Sequence, residues 1–502
     1  MANETAIAPD AQYDGPTLLG HPRGLYVLFF AELWERFCYY GMRALLALYV
    51  VAQFHKPQEQ ASIRYGAFTA LVYALGIFGG SIADRLLGYR RSIVVGGLVM
   101  AVGLFILMVP NEEMFLLGLA TIIVGNGLFK PNISTIVGKL YRPGDPRRDG
   151  GFTIFYMGIN IGALLAPIAC QWFSAVMGTE GHPDYRYGFL LAGLGVLAGV
   201  AVFGAGGKLL QGQGLAPAGR EGLMPVIQVL VGIAIVVPGM YYLLGKGDWV
   251  GYILGGLGIL MALYLASIAL KSEKSVRQQM FVLLLLLCCS VLFWMCFEQA
   301  GNSLNFFAVQ HINPLTLGQW SMPAEWFQSV NSIFIVTFGP IFAALWVVLD
   351  KSRKNPSIPA KFGIALVLVA LGFVFLISGI KGADANGKIS WLFLAGLYMI
   401  HTFGELCLSP VGLSMVTKLA PEKITGMVMG AWFMSIAIGN FLAGVVSSGA
   451  GAMIDAAKDK PGIEKIGLYT QAFMPIVYTA LAVGIVMFLL SRLINKWMHG
   501  VK

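Results

Sequence analysis

Between Gly24 and Trp497 the chain passes fourteen times through a predominantly apolar stretch of about 20 residues, the length that carries an α-helix across a bilayer. The stretches lie near residues 24–52, 60–82, 91–110, 113–140, 150–176, 187–207, 223–244, 249–270, 277–308, 324–349, 361–380, 389–418, 424–450 and 468–497. Backbone that crosses hydrocarbon must satisfy its own polar groups, so the expected fold is an all-α polytopic membrane protein. Only 12% of the residues are charged and 57% are hydrophobic, whereas a soluble domain carries about 25% charged residues. A soluble enzyme is excluded on that ground. The six cysteines all fall within apolar stretches and read as small buried hydrophobes, with neither a disulfide frame nor a metal site expected. The polar start of the chain has no apolar core of a secretory signal, and none is expected.

A formal charge of +9 would suggest nucleic acid in a soluble protein. Here the placement of the charges matters more than their sum, and no nucleic-acid partner is expected. If the chain starts on the cytoplasmic side, the cytoplasmic connections include the runs Arg85, Arg90, Arg91; Lys139, Arg142, Arg147, Arg148; and Lys351, Arg353, Lys354. That side then holds more than twice the Lys and Arg of the other, which puts both termini in the cytoplasm.

Two segments of the chain repeat. "FYMGINIGALLA" (155–166) aligns with "WFMSIAIGNFLA" (432–443), through Met157/Met434, Ile161/Ile438 and Gly162/Gly439 among others. Just before them, "KPNISTIVGKL" (130–140) aligns with "SPVGLSMVTKL" (409–419), through Pro131/Pro410 and Lys139/Lys418, at nearly the same offset. Span 5 therefore corresponds to span 13, and span 4 to span 12. Two six-helix halves with a substrate site between them is an established transporter plan. The expected organisation is a tail (1–23), an N-terminal half (24–208), a linker with two inserted spans (209–276), a C-terminal half (277–497) and a short tail (498–502). The inserted pair has no ionisable group within its apolar runs and should face lipid. The loop "GGSIADRLLGYRRS" after span 2 is similar to the signature loop of the major facilitator superfamily. Its Asp84 and Arg85 are given a conformational role, without substrate contact.

The spans themselves carry Glu32, Glu35, Arg36, Arg43, Lys130, Glu298 and Glu405. Each would cost about 2.5–3.5 kcal/mol at the bilayer centre, so these groups should face an interior. On a helix, Glu32, Glu35, Arg36, Tyr39 and Arg43 fall within roughly 100° of arc. A structural i,i+4 pair of Glu32 with Arg36 leaves Arg43, Lys130 and the two later glutamates without a reason. The deep bases lie in the first half, while Glu298 and Glu405 lie in the second. A cavity between the halves would then be polarised, suited to a zwitterion, and its carboxylates could take up protons as neighbouring bases move. His401 reads as a packed polar residue, and Glu325 as an acid in the first turn of a helix.

At these residues a family resemblance is specific. "ELWERFCYYG" resembles the ExxERFxYYG signature of the proton-coupled oligopeptide transporter family. "FYMGINIGALLAP", "FEQAGNSLNFFA" and "GELCLSPVGLSMVTKLAP" resemble its later conserved segments. The two inserted spans are similar to the bacterial form, and the resemblance runs from span 1 to span 14. It implies a major facilitator superfamily fold and proton-coupled import of di- and tripeptides by alternating access across a bacterial inner membrane. No cofactor other than the coupling proton and no obligatory protein partner are implied.

The resemblance also implies roles residue by residue. Glu32, Glu35 and Arg36 would link protonation to peptide recognition, with Arg36 and Lys130 receiving the peptide C-terminus. Asn160, Asn331 and Glu298 would hold the backbone and N-terminus. Tyr39, Tyr40, Tyr73 and Trp432 would line side-chain pockets, with Ser435 nearby. Arg43 with Glu298 would close the outer gate, and Lys130 with Glu405 the inner one. The rival reading is a related transporter of nitrate or another small anion, against which the deep Glu298 and the full ExxER stand. A channel and a membrane enzyme fit less well: the charges are not ring-symmetric, and neither a metal cluster nor a nucleophile elbow is evident. Which glutamate carries the proton stays open at this point.

Overall fold

The computed structural model describes residues 17–142, 145–179 and 181–501, apart from the side chains of residues 413 and 417. The first sixteen residues of the expected N-terminal tail, and Lys502, lie outside the described residues. Fourteen spans long and apolar enough to cross a membrane are present among the described residues. The first six are α1 (Arg23–Phe54), α2 (Gln58–Ile82), α3 (Tyr89–Ile106), α4 (Glu112–Lys139), α5 (Arg148–Met177) and α6 (Tyr185–Ala205). The inserted pair is α7 (Met224–Gly245) and α8 (Gly247–Lys271). The remaining spans are α9 (Lys274–Phe297) with α10 (Ser303–His311), then α11 (Val330–Lys351), α12 (Ile358–Ile380), α13 (Trp391–Leu419), α14 (Thr425–Ala456) and α15 (Gly462–Trp497). The face carrying residues 17–22 and 498–501 is called the terminal face below.

One span differs from its expected form. The run 277–308 is not a single helix: it breaks into a 3-10 turn at Glu298–Gly301, and Asn302 (φ −128°, ψ −100°) leaves helical geometry before α10 begins. The break is held by tertiary contacts. Gly301 lies against the Tyr65 hydroxyl, and the Asn302 side-chain amide donates to the Ser62 carbonyl at 3.0 Å. Irregular backbone at membrane depth is tolerated where protein surrounds it or it lines a cavity. Local signals set other ends. Asn111 accepts from the Glu113 and Met114 amides at the start of α4, and Asp184 accepts from the Arg186 amide at the start of α6. The Arg186 side chain beside Asp184 also holds its carboxyl below the usual carboxylate range.

The repeat has a packing meaning. Gly162 of α5 lies against the Leu33 carbonyl and the Arg36 Cβ of α1. Its counterpart Gly439 of α14 lies against the Val291 carbonyl and the Trp294 Cβ of α9. In each half, then, a glycine lets the repeated helix approach the half's first helix closely. Two hydrophobic cores result, one gathered mainly around α1–α6 and the other around α9–α15. The inserted pair is largely exposed; α7 touches the first half through Val229, near Leu87 and Leu128, while α8 lays Gly251 on Phe441 and Gly258 on Ile438 of α14. Five cysteines are buried as expected, but Cys288 is exposed. It sits on the outward side of α9, where an apolar exterior hides no residue from the hydropathy pattern.

The halves meet along two seams, α2 with α14 and α5 with α11. Away from the terminal face the first seam is tight: Gly66 and Gly444 stand backbone to backbone. The second is tied there by Ser329 Oγ donating to the Leu164 carbonyl (2.7 Å) and Trp326 Nε1 donating to Gln171 (3.1 Å). Toward the terminal face the helices diverge. Gly76 and Gly80 of α2 and Gly426 of α14 meet nothing, and Phe78 is 62% exposed.

Candidate functional site

The charged stripe of α1 lies where the expected arc puts it, facing inward. Arg36 Nε is 3.2 Å from Glu32 Oε1 and donates to Glu35 Oε2 at 2.5 Å. From α4, Asn126 Nδ2 donates to the other Glu35 oxygen at 2.7 Å. Glu32, Glu35 and Arg36 are all buried. Their bonding is unequal: both oxygens of Glu35 are engaged, whereas Glu32 Oε2 is buried without a partner among the described residues. The Tyr39 hydroxyl is likewise buried and unpartnered, and the Tyr39 ring lies 5.5 Å from the Arg36 guanidinium. The open acceptor can take a proton, and the open hydroxyl beside the guanidinium can make one more hydrogen bond.

Farther along the stripe, Arg43 forms a buried ion pair with Glu298 across the two halves. Arg43 Nε also donates to the Tyr65 hydroxyl, and the rings of Tyr40 and Tyr65 flank its guanidinium at 6.0 and 5.6 Å. Glu298 continues from α9 as the first residue of the 3-10 turn. Lys130 of α4, half-buried, places Nζ 4.2 Å from the centre of the Tyr73 ring, a cation–π distance.

The expected partner of Lys130 is elsewhere. Among the described residues Lys130 makes no ion pair, and Glu405 of α13 instead accepts from Asn331 at 3.0 Å. Asn331 donates also to Thr402 (2.9 Å). The Lys130–Glu405 contact is therefore not formed in this structure, because the halves part toward the terminal face. Arg43–Glu298 is formed, on the side where they meet.

Other expected residues spread more widely. Asn160 is buried on α5 and donates back to the Tyr156 carbonyl at 3.0 Å, which leaves its oxygen for another group. Trp432 lies within the second core, edge-on to Phe362 and over Gly412. Ser435 does not face the space between the halves. Its hydroxyl lies 2.9 Å from that of Ser290 on α9. The repeat explains this: Ser435 matches Gly158, which packs on Phe29 of α1 at the same helix crossing. Asp84 and Arg85 are exposed in the π-helical turn Ala83–Leu87 at the terminal face. Asp84 accepts from the Tyr89 hydroxyl, and Lys139 of α4 lies over that tyrosine's ring at 4.4 Å. His401 is packed, with Nε2 donating to the Val369 carbonyl at 3.0 Å.

Several partners escaped the sequence reading. Asn126 on Glu35, Tyr65 on Arg43 and the pair of Glu325 with Tyr185 (2.9 Å) are all buried. Glu325 does stand in a first turn, but it also joins the halves through Tyr185 of α6. The signal available was the uncharged polar residue inside a span, such as Asn126 and the Gln299, Asn302 and Asn305 of "EQAGNSLN". Such groups also need partners in hydrocarbon.

The arrangement can be set beside known proteins. The POT family model matches residues 90–459. The chain is 35% identical over 489 residues to dipeptide and tripeptide permease B of Salmonella typhimurium, covering 96% of this chain and 97% of the permease. Its fold is similar to the crystal structure of a peptide transporter POT in complex with sulfate, with a TM-score of 0.81, 32% identity and 97% of each chain covered. It is also similar to that of a POT family transporter in complex with 5-aminolevulinic acid, with a TM-score of 0.79, 30% identity and coverage of 95% of this chain and 98% of that one. With the family model matched over residues 90–459 and a permease 35% identical across nearly the whole chain, the chain belongs to the POT family.

Proposed function

We propose that this protein is a proton-coupled symporter that imports di- and tripeptides by alternating access. The observation that carries the reading is the opposition of charge across the seam. Arg36, Arg43 and Lys130 stand in the first half, and Glu298 and Glu405 in the second. A zwitterion placed between them would direct its carboxylate to Arg36 and Lys130 and its ammonium to Glu298. Its side chains could vary, since the termini and backbone supply the recognition. A small inorganic anion would bring no cationic end to meet Glu298 or Glu405.

The basic excess supports a cytoplasmic terminal face. The protein would then lie in a bacterial inner membrane with both termini inside, and the structure would be its inward-facing state. The unequal bonding of the two acids supports Glu32 as the first proton acceptor, because its Oε2 can be protonated without breaking a bond. Protonation there loosens Glu32 from Arg36 and frees one side of the guanidinium for the peptide carboxylate. Glu35, tied by Arg36 and Asn126, keeps Arg36 oriented. Loss of the proton to the cytoplasm restores the Glu32 charge, which competes for Arg36 and releases the peptide.

Uptake of dialanine into proteoliposomes should rise with an inward proton gradient, while free alanine should not be driven. Glu32→Gln should abolish the dependence on the gradient and keep counterflow. Lys130→Ala should lose driven uptake as well. Proton-driven uptake retained in Lys130→Ala would remove that lysine from coupling, and equal uptake of free alanine would argue against a peptide-length site.

A further inference from the structure

Far from the charged stripe, on the face opposite the terminal one, a partly open cavity of about 400 Å³ lies at the seam, walled by the second half except for Gln58 of the first. Small-molecule sites typically measure about 300–1,000 Å³. Its walls include Gln58 from the first turn of α2, Gln310 and His311 from the end of α10, Asp455 and Lys458 around the end of α14, and Lys465 from α15. The first turn of α2 reaches this position because Gly451 has no side chain; a Cβ there would run into Gln58 and the Glu59 amide. Asp455 fixes the same contact by accepting from the Glu59 amide at 3.3 Å. The cavity is therefore complete only while α2 and α14 are closed on this face.

Its chemistry is uneven. Two lysines share the wall with one aspartate, and one oxygen of that aspartate is engaged by the Glu59 amide. Lys465 spends one of three donors on the Lys458 carbonyl. Gln310 accepts from the Tyr469 hydroxyl at 3.2 Å, which leaves its amide protons free for a ligand. His311 is 3% exposed; Nδ1 donates to the Gly387 carbonyl at 2.8 Å, and Nε2 is buried without a partner. In that tautomer Nε2 is an acceptor. Two cations and the Gln310 amide, together with the His311 acceptor and the Asp455 carboxylate, suit a small solute with an anionic end and a hydroxyl or amino group.

We infer that this seam cavity binds a small carboxylate- or phosphate-bearing solute from outside and that its occupancy holds the transporter closed on that face. A ligand held by the second half gains the Gln58 contact of the first only in the closed state, and that difference in affinity shifts the population toward it. The sidedness and the effect on transport rest on the peptide-symporter reading above; the binding and the closure do not.

The test uses the full-length protein in liposomes, with Cys288→Ser to remove the exposed thiol and spin labels at exposed positions Gln60 and Asp459, one on each half. Succinate and inorganic phosphate, added separately on that face, are expected to raise the short-distance population and slow dialanine uptake; neutral succinamide should do neither. A response to one probe alone supports the site and identifies its anion as carboxylate or phosphate. Lys458→Ala combined with Lys465→Ala should weaken the response about tenfold or more, the loss of charge-assisted contacts, while uptake without probe is unchanged. An unchanged distance distribution with both probes, or equal responses from the parent and the double variant, overturns the inference. An intact distance response in protein that moves no dialanine supports the site and counts against the peptide reading instead.

Discussion

Arg43 and Glu298 stand 255 residues apart in the chain and form a buried ion pair between the two halves. Removing one partner of such a pair leaves the other charge buried and uncompensated, at a cost of about 3–5 kcal/mol. Glu298→Gln is thus expected to shift the population away from the closed form by about a hundredfold or more. Spin-label distances across the face opposite the termini should lengthen, and driven dialanine uptake should collapse. Unchanged distances would show that the pair does not hold the seam.

The glycines of the seam predict two substitutions with opposite effects. Gly444 stands against the backbone of Gly66, so Gly444→Val should prevent that contact. Overpacking of this kind costs about 1–3 kcal/mol. Gly76 meets nothing in this state, and Gly76→Val should instead hinder closure of the terminal face. Distance measurements on both faces would check this: the first variant should favour opening away from the termini, and the second opening toward them. Shifts in the same direction for both would rule out a rocking motion about these seams.

Ser435 tests how far family analogy reaches. Its hydroxyl contacts Ser290, at a crossing where the other half uses Gly158. Ser435→Gly should therefore leave the KM for dialanine unchanged. Thermal stability should drop modestly, since glycine within a helix costs about 1 kcal/mol. A large rise in KM with unaltered stability would return Ser435 to the peptide site.

Tyr185→Phe removes the hydroxyl that donates to Glu325 across the second seam. A buried acceptor left unpartnered costs about 1–3 kcal/mol. The closed population should fall, though less than in Glu298→Gln, and uptake should slow correspondingly. A closed population equal to that of the parent would mean that Ser329 and Trp326 suffice at this seam.

The fourteen spans and the inward stripe of α1 were legible because both follow from cost. Twenty apolar residues have one economical use in a membrane, and Glu32, Glu35, Arg36 and Arg43 cannot face lipid. The duplication was legible as residue identities, and its reason emerged in Gly162 and Gly439, each seated on the first helix of its half. The break at Glu298–Asn302 was hidden, because a short 3-10 turn does not interrupt hydropathy. Asn126, Tyr185 and the pairing of Tyr65 with Arg43 were missed for a different reason. An uncharged polar group gives no sign in sequence of which distant helix it will cross. Ser435, set near the side-chain pockets by the resemblance, contacts Ser290 at a helix crossing, because family analogy does not reveal which side of the helix is turned inward.

The inserted pair has a mechanical consequence. Helix α7 rests on the first half and most of α8 on the second, and Lys246 alone separates them. In the alternating-access cycle proposed above, the hairpin would work like a pair of calipers with one leg on each half. A change in the angle between the halves would then spread or narrow a lipid-exposed wedge, and lateral pressure in the bilayer would act on the balance between states.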